Sequence, residues 1–400
     1  MTPDLSQSDW LTAGQTRAVM AALEAEGGPD CARFVGGCVR NALLGQPVDD
    51  IDIATQLTPE QSLAALKAAG LKAVPTGIEH GTVTAVLGGR PYEITTLRRD
   101  VATDGRRAVV AFTTDWAEDA ARRDFGLNAL YADAAGALFD PTGRGLADLA
   151  ARRIVFVGDA ETRIREDYLR ILRFFRFHAW YGRGDPDAEG LRACRDNVDG
   201  LARLSAERVS KELLKLLAAP DPRPAVRAMD EAGVLSAVLP STAGLSLFET
   251  LAAISDDPVL RLSALLPPEP QRVDASARAL RLSNAQRERL VAAAGEASPD
   301  LSPAEARAEI YCRGAQAFAD RLTRGRAARP ELDASALIAL VRDWTAPSLP
   351  VGGHDLAAMG VEAGPRTGRL LKAFEDEWVA ADFPADGHAA RLSRLAASEP

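Results

Sequence analysis

Two carboxylates, Asp50 and Asp52, stand one residue apart in the run Asp50-Ile51-Asp52-Ile53. On a β-strand side chains alternate, so both acids face one side and both isoleucines the other. Like charges held that close repel unless a cation lies between them. Mg²⁺ suits the place, because hard divalent cations prefer carboxylate oxygen and keep open positions for phosphate. Upstream, Gly36-Gly37 offers a tight turn with bare backbone N–H groups at the start of a short helix, where a triphosphate could lie. Arg40 on that helix adds a planar, permanently charged phosphate partner. Taken singly, a Gly-Gly turn is most often only a turn, and an Asp-x-Asp pair a solvated strand edge. The chemistry rests on their combination.

These residues need elements to hold them. Residues 10–27 read as a leading amphipathic helix, Phe34-Val35 as the end of a strand, Val39 to Leu44 as a short helix, and the Asp50–Ile53 run as a second strand. Thr58-Pro59-Glu60-Gln61 starts a further helix, with Thr as N-cap and Gln three residues on, ending near Gly70. Gly81 to Leu97 reads as a hairpin, TVTAVL and YEITTL around Gly88-Gly89-Arg90. Glu93 on its second strand is either a third carboxylate beside the cation or a solvent-facing acid. Arg98 to Thr114 reads as a polar loop containing Asp104-Gly105-Arg106-Arg107. Asp115-x-x-Glu118 reads as a capping box opening a helix through Tyr131, which puts Asp124 and Asn128 four apart on one face. Gly126 inside that helix costs up to about 1 kcal/mol relative to Ala. A helix from about Thr162 spaces Asp167, Arg170, Arg173 and Arg176 three apart, with Leu169, Leu172 and Phe175 on another side. From Arg98 to Arg176 there are fourteen Arg and no Lys, a choice that suits bidentate recognition of planar or phosphate groups. After Tyr181 helical segments take over; Ser205 opens one through Leu217, with Val209, Leu213, Leu216 and Leu217 as its core positions.

Four hundred residues allow two to four domains and an ample core. The composition, 47% hydrophobic and 26% charged, is that of an ordinary globular chain. Four cysteines show no metal-ligand spacing and point to a reduced, cytoplasmic protein. The first residues lack the basic and apolar regions of a signal peptide, and no run is long enough to span a bilayer. A net charge of −9 argues against indiscriminate phosphate binding, so any nucleic-acid contact has to come from local basic patches.

The string FVGGCVRNALLGQPVDDIDIAT resembles the G-G…D-x-D signature of the DNA polymerase β-like nucleotidyltransferases. In its longer form it is similar to the class II CCA-adding tRNA nucleotidyltransferases and the bacterial poly(A) polymerases related to them. RRDFGLNAL resembles the family's R-R-D-F-T-I-N-A motif, EDYLRILRFFRF its nucleotide-selecting helix, and SAERVSKEL its neck motif. The loop with Asp104-Gly105-Arg106-Arg107 resembles the flexible loop beside the active site, which enzymes adding only CC lack in working form. Val351 to Gly368 resembles, more loosely, the segment that grips tRNA. Two departures stand out: Asn41 where the family usually has Asp, and Gly126 where Thr or Ser is usual.

The resemblance implies an α+β protein: a polymerase β-like head with a small mixed sheet (1–145), then an all-α nucleotide-selecting neck (146–220), body (221–345) and tRNA-binding tail (346–400). It implies Asp50 and Asp52 as ligands of two Mg²⁺ ions and as catalytic residues, with Glu93 beside them. Gly36, Gly37, Arg40 and Arg123 would take the nucleotide's phosphates and sugar, and Asp124 and Asn128 would orient Arg123. Asp167, Arg170, Arg173 and Arg176 would line the base. The base chemistry agrees. CTP and ATP both present an exocyclic amine beside a ring-nitrogen acceptor, so Asp167 can accept from the amine while Arg170 donates to the ring. UTP and GTP present the reverse order and would be rejected by roughly 1–3 kcal/mol per pair, without a template. The expected activity is completion of the tRNA 3′ end with C, C and A from CTP and ATP, with no membrane and no protein partner implied. Poly(A) addition, A addition alone, or a non-catalytic RNA-binding relative are the alternatives. His354-Asp355 is not an HD phosphohydrolase centre, since four histidines in the whole chain are too few.

Overall fold

A computed structural model describes residues 5–104 and 107–398, without the side chains of 100–110. The chain forms two compact units, Met1–Pro240 and Ser241–Pro400. The first carries a seven-stranded mixed sheet and the helices that follow it; the second is helical, so the α+β expectation holds.

The first unit opens with α1 (Asp9–Thr12) and α2 (Gly14–Gly27) instead of one leading helix. The break falls at Ala13, whose backbone is extended. Thr16 Oγ1 donates to the Trp10 carbonyl at 2.7 Å, which replaces a helical N–H partner while Trp10 packs edge-on against Phe34. Then come β1 (Ala32–Val35), α3 (Gly37–Leu43), β2 (Ile51–Thr55), α4 (Pro59–Ala68), β3 (Ala73–Gly77), β4 (Thr82–Leu87) and β5 (Arg90–Thr96). The Thr58–Gln61 capping box is formed as expected, and so is the β4–β5 hairpin. Ile51 and Ile53 point into the core at 1% exposure, leaving Asp52 on the opposite face.

Residues 98–114 are not a polar loop. They pair as β6 (Arg98–Asp104) and β7 (Arg107–Phe112), an antiparallel two-stranded sheet running from Arg98↔Phe112 to Asp104↔Arg107, with a register shift between Asp100 and Ala102. The short apolar run AVVAF, with two β-branched valines, is the strand signal that the surrounding charges obscured. Gly105 and Arg106, the centre of the expected active-site loop, lie outside the described residues.

The helix expected to reach Tyr131 stops early, as α5 (Trp116–Ala121). Asp115 caps it through Ala117 N, while Glu118 bonds Thr113 and not the Asp115 backbone, so no capping box closes. RRDFGLNAL is a turn with a 3₁₀ segment at Gly126–Asn128. Gly126 lies against Gly145, and a Cβ on Gly145 would meet the Gly126 carbonyl at 2.5 Å. Next are β8 (Tyr131–Ala132), β9 (Leu138–Phe139) and α6 (Gly145–Ala150). The sheet order is β3-β4-β5-β2-β1-β8-β9, with β2 and β5 parallel and the other pairs antiparallel.

The arginine-rich stretch is two helices, α7 (Ala160–Glu166) and α8 (Leu169–Tyr181). Asp167 breaks them: its backbone is extended (φ −153°, ψ 106°) and its Oδ1 accepts from Leu169 N at 3.1 Å. α9 (Ala188–Asp196) and α10 (Ala206–Leu217) follow; α10 buries Val209, Leu213, Leu216 and Leu217 as expected. In the second unit one apolar cluster gathers around Phe318, Ile310 and Leu337, another around Phe374, Trp378 and Leu392.

Candidate active site

Parallel pairing of β2 with β5 sets Asp52 directly beside Glu93, with Asp50 exposed just ahead of the strand. Burial first, then the Glu93 charge, raises the Asp52 carboxyl to about 6; Asp50 adds to this, and Arg123 and Arg40 offset only part. That imbalance is what a bound cation would relieve. Among the described residues no three acidic, thiol or imidazole groups converge closely enough to chelate an ion unaided.

Gly36 keeps the space in front of Asp52 open. Its φ of +73° suits glycine, and a Cβ there would stand 3.8 Å from Asp52 Oδ2 and 3.7 Å from Arg123 Nη1. A Cβ would occupy the gap between carboxylate and guanidinium at ordinary contact distance, so it is the positive φ, at the N-terminus of α3, that calls for glycine.

Arg123 is not oriented by Asp124 and Asn128. Its Nε and Nη2 bond Asp119 Oδ2 at 3.3 and 3.0 Å, and Nε also reaches the Tyr131 hydroxyl at 3.1 Å, which leaves Nη1 toward Gly36. Burial acts to raise the Asp119 acid, but Arg123 and Arg122 outweigh it and bring it down to about 2. Asp124 instead holds Arg173, with Arg173 Nε on Asp124 Oδ2 at 2.8 Å, while Asn128 Nδ2 donates to Asp124 Oδ1 at 3.0 Å. Early termination of α5 turned Asp124 away from Arg123 toward α8.

The residues expected to line the base are each anchored. Asp167 Oδ2 accepts from Arg208 of α10 at 2.7 Å. Arg170 Nη1 donates to the Arg163 carbonyl at 2.6 Å and to Glu166. Arg176 bonds Glu212 and turns from the cavity.

Gly36, Gly37, Arg40, Asp52, Arg123, Asp124, Asn128, Asp167, Arg170 and Arg173 line one open cavity of about 450 Å³. Arg122 and Arg208 join them, so six arginines face three aspartates in a chain of net charge −9. Asp50, Glu93 and Arg176 do not line it. A more enclosed cavity of about 350 Å³ behind Gly126 is lined by Phe156, Val155 and alanines of α5, with Arg144 as its one arginine among the described residues. It offers no comparable phosphate site. Sequence reasoning missed Asp119, Tyr131, Glu166, Glu212 and Tyr181; of these Asp119, four residues before Arg123, carried a readable signal.

Comparison with known proteins fits this geometry. Residues 32–155 match the family described as Poly A polymerase head domain, and 185–245 that described as Probable RNA and SrmB-binding site of polymerase A. The Mus musculus CCA tRNA nucleotidyltransferase 1, mitochondrial, is 36% identical over 371 residues, 86% of this chain and 82% of that protein. The chain belongs to the class II CCA-adding tRNA nucleotidyltransferase and poly(A) polymerase family. Within the family, the CCA-adding enzyme of Streptococcus pyogenes serotype M2 is 46% identical over 200 residues, 50% of this chain and 48% of that one. The Bacillus stearothermophilus CCA-adding enzyme, solved in complex with CTP, superimposes with a TM-score of 0.78 at 28% identity, covering 100% of this chain and 99% of that one. Among the described residues no helix is long and apolar enough to cross a membrane.

Proposed function

We propose that this protein adds C, C and then A to the 3′ end of tRNA from CTP and ATP, releasing pyrophosphate. The observation that carries the reading is the single cavity joining the Asp52 carboxylate, the Gly36 gap and the Asp167/Arg170 pair. Asp50 and Asp52 would hold the divalent cations, Mg²⁺ by preference, with Glu93 alongside. Bound there, the ions supply Lewis-acid stabilisation of the reacting phosphate and lower the pKa of the attacking hydroxyl.

The rest falls to the chain's own side chains. Arg123 Nη1, aimed across Gly36, takes negative charge on the phosphates while Asp119 and Tyr131 fix its plane. Arg40 and the Gly37 turn take the remainder. Asp167 keeps lone pairs beyond those used by Arg208 and Leu169 N, so it can accept the base's exocyclic amine. Arg170 uses Nη1 to lock onto Glu166 and the Arg163 carbonyl, and so presents Nε and Nη2 to the ring nitrogen. The RNA 3′-oxygen bonds to the α-phosphorus, and the bond to the pyrophosphate oxygen breaks in line.

The cytoplasm is the location we propose, on four cysteines that form no disulfide. The Mus musculus relative bears a mitochondrial name, and fractionation decides between the two. The activity test is incubation with Mg²⁺ and tRNA lacking CCA, with each nucleotide alone and CTP with ATP together. Addition of C, C and A, stopping there, is expected. A long A tail makes the protein a poly(A) polymerase; A alone, on tRNA ending in CC, makes it a partial enzyme; no incorporation with tRNA still bound overturns catalysis.

A further inference from the structure

Arg40 is a buried guanidinium, 7% exposed, whose bonded partners among the described residues are all neutral. Nε and Nη2 donate to Asn41 Oδ1 at 3.1 and 2.8 Å, Nη1 to Asn128 Oδ1 at 2.6 Å, and Nη2 also to the Tyr181 hydroxyl at 2.8 Å. The guanidinium lies 4.0 Å from the Tyr181 ring centroid. The acid nearest in this network, Asp124, is already engaged by Arg173, Asn128 and Phe125 N. A buried charge held by dipoles alone keeps an electrostatic demand for an anion. Arg40 lines the cavity beside Gly37, where that demand meets a triphosphate.

We propose that Asn41 is a positioning residue that orients Arg40 without neutralising it, and so sets this chain's affinity for the triphosphate. The inference rests on the nucleotidyltransferase reading of the cavity. Only one orientation of the amide fits: Oδ1 accepts from Arg40, and Nδ2 donates to the Pro47 carbonyl at 3.0 Å. That second bond fastens the segment leading to Asp50, which Arg90 holds from the other side through the Val48 and Asp49 carbonyls. Aspartate, usual in the family at this place, would pair with Arg40, remove its surplus charge, and set an acceptor against the Pro47 carbonyl. Asn41 thus joins the phosphate side of the site to the carboxylate side through one amide.

The test is Asn41→Asp, with Asn41→Ala beside it, read by titrating pyrophosphate and by KM and kcat for CTP and ATP. For Asn41→Asp we expect pyrophosphate affinity to fall about tenfold, about 1.4 kcal/mol. KM should rise by the same factor for both nucleotides, kcat should change less than twofold, and the melting temperature should hold or rise. Asn41→Ala leaves Arg40 donors unmatched and should lower both affinity and melting temperature. Unchanged pyrophosphate affinity in a folded Asn41→Asp protein overturns the proposal, as does an effect confined to one nucleotide. Pyrophosphate titration needs no tRNA, so a wild-type protein that binds it but adds no nucleotide refutes the function and leaves the assignment of Asn41 intact.

Discussion

Replacing Asp52 by Asn should destroy incorporation and at the same time stabilise the cation-free protein. Asp52 is half-buried, and burial with the Glu93 and Asp50 charges carries its carboxyl from 3.8 to about 6. A raised acid favours the folded state fully below its unfolded pKa, and that favour is lost as pH rises through the folded value. Well above pH 6 the ionised carboxylate therefore costs the fold about 3 kcal/mol. An amide removes the charge but keeps buried polar atoms, so about 2 kcal/mol is recoverable, or roughly 4–8 °C for a unit of this size. The assay is thermal unfolding of both proteins in chelator across about pH 4.5 to 8. The Asn variant should melt higher at the upper end, with the difference closing as pH falls through about 6. Adding Mg²⁺ at the upper end should raise the wild-type melting temperature and leave the variant unmoved. An Asn variant less stable than wild type at high pH, or a gain that ignores pH, refutes the account of Asp52.

Three further outcomes follow from the site. Asp119→Asn strips the carboxylate from two arginines and a tyrosine at a position only 1% exposed, and should destabilise by about 3–5 kcal/mol in denaturant titration. Because the acid is depressed to about 2, its contribution is present above the unfolded value of 3.8, so the loss should be flat over about pH 5 to 8. Gly36→Ala forces a β-carbon into the left-handed region and into the gap between Asp52 and Arg123; about 1–2 kcal/mol of stability and about 100-fold in incorporation should go. Asp167→Asn offers a donor where only acceptors stood, and the ratio of C to U incorporation should fall by about 10- to 100-fold; an unchanged ratio removes Asp167 from base selection.

The carboxylate half of the site was legible because it is local. Asp50, Asp52, Gly36 and Gly37 belong to one strand–turn–helix–strand unit; the period-2 pattern of TVTAVL and YEITTL gave the strand that carries Glu93, while its place beside Asp52 comes from the parallel pairing of β2 with β5. The arginine half was legible as residues but not as partnerships. Spacing three on a continuous helix implied one row from Asp167 to Arg176, yet Asp167 breaks that helix. Asp124 was expected to serve Arg123, one residue away, and serves Arg173, forty-nine residues on. Tyr181 reaches Arg40 across 141 residues, a contact fixed by how α8 packs and by nothing in either neighbourhood. Ion pairs between elements depend on tertiary placement, which periodicity does not encode.

The anchoring of α8 bears on how such a protein can change over generations. Asp167 is tied to Arg208, Arg170 to Glu166, Arg173 to Asp124 and Arg176 to Glu212, four pairs reaching α7, α10 and the turn after α5. On the proposed reading of Asp167 and Arg170 as the base selectors, altering the base preference means altering one member of a pair and stranding the other, at a cost of about 3–5 kcal/mol where the stranded charge is buried. That is a large part of a domain's whole stability. Lineages that keep the fold must change both members together or neither, so the choice of C and A is guarded by inheritance as well as by hydrogen bonds.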